Sequence, residues 1–229
     1  TYHYYDSRRL ELFKFLRDEI AKGRQVYIVY PLIQESEKLD YKDLEDGYAS
    51  ISRAFPQPDY AVSVLHGRMK AEEKKKAMQL FVNGTTQIMV STTVIEVGVD
   101  VPNASAMVIE SAERFGLSQL HQLRGRVGRG ADQSFCILMS GVKLSKEGRT
   151  RLDTMVRSND GFEIAEVDLK LRGPGDLEGT QQSGIPFDLK LANIIRDHHI
   201  LEAARQVASD LLDLDPKLED PKNAILKQS

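Results

Sequence analysis

The stretch QLHQLRGRVGRG, residues 119–130, decides how the rest of the chain is interpreted. Its last seven residues interleave three arginines, Arg124, Arg126 and Arg129, with three glycines. Guanidinium groups stay charged at neutral pH and present a planar set of donors that matches phosphate oxygens. Neighbouring glycines let the backbone approach a ligand closely. The stretch therefore favours a phosphate-binding loop, although arginines near a helix end also face solvent or cap the last carbonyls.

Composition describes an ordinary globular protein. The chain has 229 residues, of which 41% are hydrophobic and 28% charged, enough for one full domain and a smaller one. The sequence contains no run of about 18 apolar residues, so it predicts no membrane span. The opening TYHYYDSRRL has neither a signal sequence nor an initiator Met, and we expect a fragment of a longer cytoplasmic protein.

The chain has one cysteine, Cys136, in the apolar run FCILM, where we predict that it is buried. A single cysteine excludes an internal disulfide and a cysteine-based zinc cluster. The adjacent His198 and His199 would point about 100° apart on a helix, and we predict no metal site. The net charge of −3 does not indicate a nucleic-acid binder, but residues 68–76 carry five basic side chains. That segment is either a local basic patch or a solvated helix face.

Helical and strand patterns alternate through residues 1–142. For example, residues 25–30, QVYIVY, are β-branched and aromatic and are stopped by Pro31, which is typical of a strand. Helices are predicted at 7–22 (capped by Ser7 and ended by Gly23), 42–54, 71–82 and 117–127, and strands at 25–30, 61–65, 87–91, 106–110 and 134–139. This alternation predicts an α/β domain with a parallel sheet and helices on both of its faces.

Residues 143–229 show only helical patterns, so we predict a small all-helical region there. Helices are predicted at 150–157, 161–171 and from Asp188 to about Leu214. Asp160 and Glu163 form a capping box at the start of the second. Between the second and third of these helices, the stretch RGPGDLEGTQQSG (172–184) is too rich in glycine and proline for regular helix. The region is therefore predicted to be a hairpin that carries a glycine-rich loop.

Four blocks of the α/β half resemble superfamily-2 helicase motifs, in the family's order. They are VYIVYPLIQES (26–36), VLHGRMK (64–70), IMVSTTVIEVGVDVPNA (88–104) and the spacing Gln122-x-x-Gly125-Arg126-x-Gly128-Arg129. The resemblance implies a RecA-like fold, the second of two helicase motor domains. It implies catalytic roles for Arg126 and Arg129, nucleotide contacts for Gly98, Asp100 and Gln122, and DNA contacts for His66, Gly67, Arg68, Ser91, Thr92 and Thr93. From the residues alone, the three hydroxyls at 91–93 could donate to phosphates or form an ordinary turn.

The segment SNDGFEIAEVDLKLRGPGDLEGTQQSG (158–184) resembles the translocation motif of the RecG and Mfd families of double-strand DNA translocases. The continuation PFDLKLANIIRDHHILEAAR favours RecG. In these families the hairpin couples the nucleotide state to movement along duplex DNA, and its functional residues correspond to Arg151, Arg172 and Gln182. Judged by residue type alone, Arg172 could instead cap a helix end and Gln182 could be a loop hydrogen bonder.

The 229 residues contain no G-x-x-x-x-G-K-[ST] phosphate loop and no Asp-Glu pair of the kind that holds Mg²⁺ in such motors. The resemblance implies that these groups lie on a preceding first motor domain, beside a DNA-binding wedge domain. The implied whole is an ATP- and Mg²⁺-dependent translocase that acts on branched double-stranded DNA, namely replication forks and Holliday junctions. The alternatives are the corresponding part of Mfd and a non-enzymatic nucleic-acid binding module.

Overall fold

The computed structural model describes residues 1–31, 37–92, 101–128, 133–172, 198–216, 220 and 222–223, with side chains for all of these except 37–43, 172 and 198–205. The chain divides into two compact units, Thr1–Leu171 and Arg172–Ser229. Among the described residues no helix is both long and apolar enough to cross a membrane.

Six strands form one sheet in the first unit. They are β1 (Tyr2–Tyr5), β2 (Gln25–Tyr30), β3 (Val62–Leu65), β4 (Ile88–Thr92), β5 (Ala104–Ile109) and β6 (Phe135–Ser140). Their order across the sheet is β1-β6-β5-β2-β4-β3, and every neighbouring pair is parallel. The predicted parallel sheet is confirmed. The sequence pattern missed β1, whose register is set by β6, with Tyr2 opposite Ile137.

Seven α-helices accompany the strands in the described residues. They are α1 (Arg9–Ala21), α2 (Glu37–Ala54), α3 (Ala71–Val82), α4 (Leu117–Arg124), α5 (Lys146–Arg157), α6 (Gly161–Arg172) and α7 (His198–Leu214). The prediction for α3 is confirmed at both ends. Ser7 was wrongly predicted to cap α1, because Asp6–Arg8 form a 3-10 turn first. Gly23 ends that helix as predicted, with a φ of 80°. Of the long helix predicted from Asp188, residues 188–197 lie outside the described part.

The capping box predicted for α6 is half formed. Asp160 does cap the helix, since its Oδ1 accepts from the Phe162 backbone N–H at 2.9 Å. The prediction for Glu163 was wrong. Its carboxylate accepts instead from Arg157 Nη2 at 2.6 Å, because the Asp160 backbone N–H already donates to the Ser158 hydroxyl at 3.1 Å.

Both faces of the sheet are covered, as the parallel topology requires. On one face α1 and α2 bury Leu12, Leu16 and Ile51 against strand residues such as Ile28 and Val90. The opposite face is covered by α3, α4, α5 and α6. The buried side chains from these four helices include Met78, Phe81, Leu117, Leu120, Leu123, Leu152, Met155 and Ile164. The first compact unit therefore extends past residue 142 to Leu171, and the predicted division at 142 between motor and hairpin stays a prediction.

A buried ion pair ties the start of α1 to the end of β5. Arg9 Nη1 and Nη2 donate to the two carboxylate oxygens of Glu110 at 2.7 and 2.9 Å, across 101 residues of sequence. The Glu110 side chain is 6% exposed, and that of Arg9 is 31% exposed. The hydrogen bond to Glu110 raises the pKa of Arg9 above its usual value. A bidentate contact of this kind fixes the orientation of both groups.

We expect Arg9→Ala to destabilise the chain by about 3 kcal/mol, because it leaves the buried Glu110 carboxylate without its partner. Urea unfolding measures this loss. Arg8→Ala is the matched control: Arg8 pairs with Glu11 while both side chains stay about half exposed or more, at 48% and 61%, so its loss should have a much smaller effect on stability. Equal losses for the two variants would contradict the assignment of Arg9 as an anchor.

Candidate functional site

The predicted DNA-contacting residues gather at the carboxyl edge of the sheet. Because all strands are parallel, the ends of β2, β3 and β4 lie on the same side, which is where open α/β sheets bind ligands. The loop of His66, Gly67 and Arg68 follows β3 directly, and Ser91 and Thr92 are the last residues of β4. The topology thus brings two separate sequence blocks to one edge, as the sequence predicts.

The loop after β3 is exposed and basic. Gly67 and Arg68 are exposed, and an added Cβ at Gly67 would meet no atom within 4 Å. His66 is half-buried, and the Met69 backbone N–H donates to its carbonyl at 3.2 Å, which turns the chain into α3. Burial lowers the pKa of His66 below its usual value, and the positive charges of Arg68 and Lys74 lower it further. The imidazole is therefore mainly neutral at neutral pH and lies in a cationic environment.

Ser91 and Thr92 do not face solvent. They are 0% and 4% exposed, and Ser91 Oγ makes no hydrogen bond within the described part of the chain. Both side chains are thus buried at the carboxyl end of β4, and their contact with DNA stays a prediction. Thr93 lies outside the described residues, as do Gly98 and Asp100, which were predicted to contact nucleotide.

Helix α4 leads into the arginine loop, residues 125–130. Leu117, Leu120 and Leu123 are buried on its inner side, whereas Gln122, a predicted nucleotide contact, is exposed. Arg126 follows two residues after the helix ends and is half-buried. Within the described part of the chain its side chain forms no hydrogen bond or ion pair, so the guanidinium donors are available to a ligand. Arg129 lies outside the described residues.

Arg124 differs from Arg126 because its donors bind the protein itself. Its Nη1 donates to the carbonyls of Met155 and Ser158 at 3.1 and 2.7 Å, and its Nη2 lies 2.8 Å from His121 Nδ1. These carbonyls lie at the end of α5, where backbone acceptors lack helical partners. Arg124 thus caps the last carbonyls of a helix, which is the alternative that the sequence left open. The helix that it caps is the neighbouring α5 and not its own. Burial lowers its pKa, although a guanidinium remains charged at neutral pH.

Gly128 holds the arginine loop in a conformation that other residues rarely adopt. Its φ is 86°, and a Cβ added there would lie 2.2 Å from Ser134 Oγ. Both the backbone conformation and the space therefore require glycine. Gly128 is two residues after Arg126, so its restricted backbone conformation lies close in sequence to the Arg126 guanidinium.

The three residues predicted for coupling are described to different extents. Arg151 on α5 is half-buried, and its Nη1 donates to the Phe115 carbonyl at 3.1 Å, immediately before α4. It therefore joins Arg124 in tying α5 to α4. Arg172 is the last residue of α6, and its side chain lies outside the described part. Gln182 also lies outside it.

Sequence analysis missed a cavity of about 400 Å³ at the ends of β2 and β5. It contains the Arg9–Glu110 pair and Ser111, whose φ of 48° is unusual for a residue other than glycine. Four carboxylates and two guanidiniums line it, namely Asp6, Asp46, Glu110, Glu113, Arg9 and Arg114. This charge balance does not favour phosphate. In the residues that the structure describes, no group of His, Cys, Asp and Glu could hold a metal ion.

Two protein families match the chain in separate segments. The helicase conserved C-terminal domain matches residues 10–131, which contain the sheet edge and the arginine loop up to Gly130. The family described as ATP-dependent DNA helicase RecG, domain 3, C-terminal, matches residues 158–229. The chain belongs to the helicase C-terminal domain family.

Relatives of this helicase domain extend the similarity to nearly the whole chain. The ATP-dependent DNA helicase RecG of Synechocystis sp. is 53% identical over 213 residues, which are 93% of this chain and 25% of that protein. RecG of Bacillus subtilis is 50% identical over 93% of this chain and 31% of its own length. The chain thus spans between a quarter and a third of the length of these relatives.

Solved structures agree with this family assignment. The structure of RecG bound to a three-way DNA junction has a TM-score of 0.66 and 43% identity, and the match covers 87% of this chain and 25% of that one. The yeast DEAD-box splicing factor Prp28 has a TM-score of 0.52 and 25% identity over 69% of this chain and 32% of its own. The RecA-like fold of this helicase domain is therefore confirmed, and the RecG model that matches residues 158–229 favours RecG over Mfd.

In this helicase domain, Gly128→Ala should destabilise the fold by about 1–2 kcal/mol for the left-handed backbone alone, with a further cost from the contact with Ser134. Thermal unfolding of the 229-residue chain measures the sum. Gly141→Ala is the control, because a Cβ there meets nothing within 4 Å and its φ is not positive. An unchanged melting temperature for Gly128→Ala would show that the loop adjusts without constraint.

Proposed function

We propose that this chain is the C-terminal motor portion of an ATP-dependent double-strand DNA translocase of the RecG type, which remodels stalled replication forks and Holliday junctions. One observation carries the proposal: the half-buried Arg126 guanidinium has no protein partner in the described residues, and a constrained glycine holds its loop. The 53% identity to a RecG protein supports the substrate class.

The arginine loop would serve the nucleotide. ATP would supply the free energy for movement, and the available donors of Arg126 suit the oxygens of its terminal phosphate. We assign Arg126 and Arg129 to stabilising the charge that develops during phosphoryl transfer, a role worth about 10³–10⁵ in rate in related chemistry. Gly98, Asp100 and Gln122 would contact the nucleotide. The exposure of Gln122 is consistent with that role.

The remaining half of the ATPase site is proposed to lie on a first motor domain of the same protein. That domain would provide the phosphate loop and the carboxylates that hold Mg²⁺, because the 229 residues contain neither motif. The greater length of the RecG relatives leaves ample room for this domain and for a wedge domain that engages branched DNA.

The exposed loop of His66, Gly67 and Arg68 would bind the DNA backbone. Contacts to phosphate give affinity without sequence preference, which suits a translocase. Ser91, Thr92 and Thr93 remain proposed contacts at the neighbouring strand end. Because the first two are buried, we place the initial contact with DNA on the His66 loop.

The hairpin residues Arg151, Arg172 and Gln182 would couple nucleotide turnover to DNA movement. The support is the contact of Arg151 with the Phe115 carbonyl, one residue before the glycine that precedes α4. A shift of the arginine loop and α4 would therefore move α5 directly through this hydrogen bond. Helix α5 is the first helix of the proposed coupling region.

Arg126→Ala and Arg129→Ala in the full-length protein test the proposal. We expect kcat for DNA-stimulated ATP hydrolysis to fall by about 10³-fold, with little change in fork binding, because the arginines act on charge that develops in the transition state. The 229-residue chain alone should not hydrolyse ATP. A kcat within about threefold of the parent for both variants, or a full-length protein without DNA-stimulated turnover, would contradict the proposal.

DNA affinity should rise as the pH falls through the pKa of the DNA-bound form of His66, because its pKa without DNA is lowered below the usual value and a bound phosphate raises it. Binding then takes up a proton, and linkage strengthens it towards acid. At pH values well above the pKa of the DNA-bound form, the imidazole is neutral in both states and contributes no such dependence. Fork affinity measured between about pH 5.5 and 8 checks this, with His66→Gln as the variant that should lose that part of the slope.

Arg172→Ala and Gln182→Ala should uncouple the motor. We expect fork unwinding to be lost while DNA-stimulated ATP hydrolysis and the melting temperature stay near the parent values, because a contact worth about 1–3 kcal/mol is enough to bias two arrangements of a hairpin. All three quantities are measured on the full-length protein. A parallel fall of the three would show that these side chains only stabilise the fold.

A further inference from the structure

His121 occupies the point where α4 meets the corner between α5 and α6. It is half-buried, and its ring nitrogen Nδ1 lies 2.8 Å from Arg124 Nη2. A guanidinium has donors only, so Nδ1 must be the acceptor in this hydrogen bond. In the neutral ring the hydrogen is therefore on Nε2, on the opposite side of the imidazole.

The Arg124 guanidinium that His121 contacts also spans the gap to α5. Its Nη1 donates to the carbonyls of Met155 and Ser158. The guanidinium is planar, so a bond that fixes Nη2 also fixes the direction of Nη1. His121 thus orients the group that caps the end of α5.

The other side of the His121 ring faces the first residue of α6. A Cβ added to Gly161 would lie 3.2 Å from His121 Nε2, closer than side chains ordinarily approach. Gly161 does not have a positive φ, so its backbone conformation does not require glycine. A methyl group there would instead press on the imidazole, which lies between Arg124 and the start of α6.

The backbone of His121 contacts the first residue of the arginine loop. Its carbonyl accepts from the Gly125 N–H at 3.1 Å, and Gly125 is the residue before Arg126. One residue therefore contacts the loop through its main chain and the α5–α6 corner through its ring. Helix α6 in turn leads to Arg172.

We propose that His121 is a positioning residue that holds Arg124 against the end of α5. It thereby aligns the loop that contains Arg126 with α5 and α6, the two helices that precede the proposed coupling residues Arg172 and Gln182. This inference rests on the proposed function and adds to it a residue that the sequence motif does not mark. A ring that only fills space would matter for stability alone. If His121 instead positions Arg124 through its acceptor Nδ1, the coupling of ATP hydrolysis to fork unwinding depends on an acceptor at the position of that nitrogen.

Two substitutions in the full-length protein separate these possibilities. His121→Leu keeps apolar bulk and removes the acceptor, whereas His121→Asn places an amide oxygen close to the position of Nδ1. We expect His121→Leu to lower fork unwinding per ATP hydrolysed by about fivefold, the factor that corresponds to one typical hydrogen bond, with an unchanged melting temperature. His121→Asn should recover most of this ratio.

Gly161→Ala provides a second test that does not rely on removing a side chain. Alanine favours helix over glycine, so a purely structural role predicts equal or higher stability and unchanged coupling. We expect the added methyl group to displace the ring and lower the same ratio by a similar factor, and Gly141→Ala, which adds a methyl group in open space, to leave it unchanged.

The inference is overturned if His121→Leu keeps the parent ratio, if His121→Asn fails to restore it, or if unwinding, ATP hydrolysis and melting temperature fall together. Unchanged coupling in Gly161→Ala would also overturn it. A parent protein that lacks DNA-stimulated hydrolysis would refute the proposed function first, and the parent measurement therefore distinguishes the two failures.

Discussion

All six strands run in the same direction, and the rest of the molecule depends on this constraint. Parallel neighbours need crossover connections, and helices therefore cover both faces of the sheet. The strand interiors are then buried on both sides, as the 0% exposure of Val26, Ile88 and Val108 shows. The same constraint collects the ends of β2, β3 and β4 at one edge, where the His66 loop lies beside the end of β4.

The arginines of one short motif have different roles although their chemistry is identical. Arg124 donates to carbonyls of α5 and to His121, so it belongs to the packing between helices. Arg126, two residues later, lies beyond the end of α4, and its side chain forms no hydrogen bond or ion pair with the residues that the structure describes. A helix residue and a loop residue point in different directions, and this difference separates the Arg124 guanidinium, which binds the protein itself, from that of Arg126.

Neighbouring residues decide how a polar side chain is used, and one expectation failed for that reason. Glu163 pairs with Arg157 instead of closing a capping box, because the Ser158 hydroxyl already takes the Asp160 N–H. Ser91 carries the hydroxyl that a phosphate contact needs, and its side chain is completely buried at the end of β4, so its role as a contact stays a prediction. In each case the residue type was right for the predicted chemistry, and the neighbours that decide its use come from packing.

The sequence alone determined the fold class, the order of most elements and the location of the arginine loop. Apolar periodicity and glycine positions are local signals, and the prediction for α3 matched at both ends for that reason. The tertiary structure decided which groups meet. Strand β1 is defined by β6, Arg9 pairs with Glu110 across 101 residues, and Arg124 donates to the carbonyls of Met155 and Ser158 at the end of α5. These contacts join groups that are distant in sequence or on separate helices, and their distances follow from the packing of helices on the sheet, which no local pattern specifies.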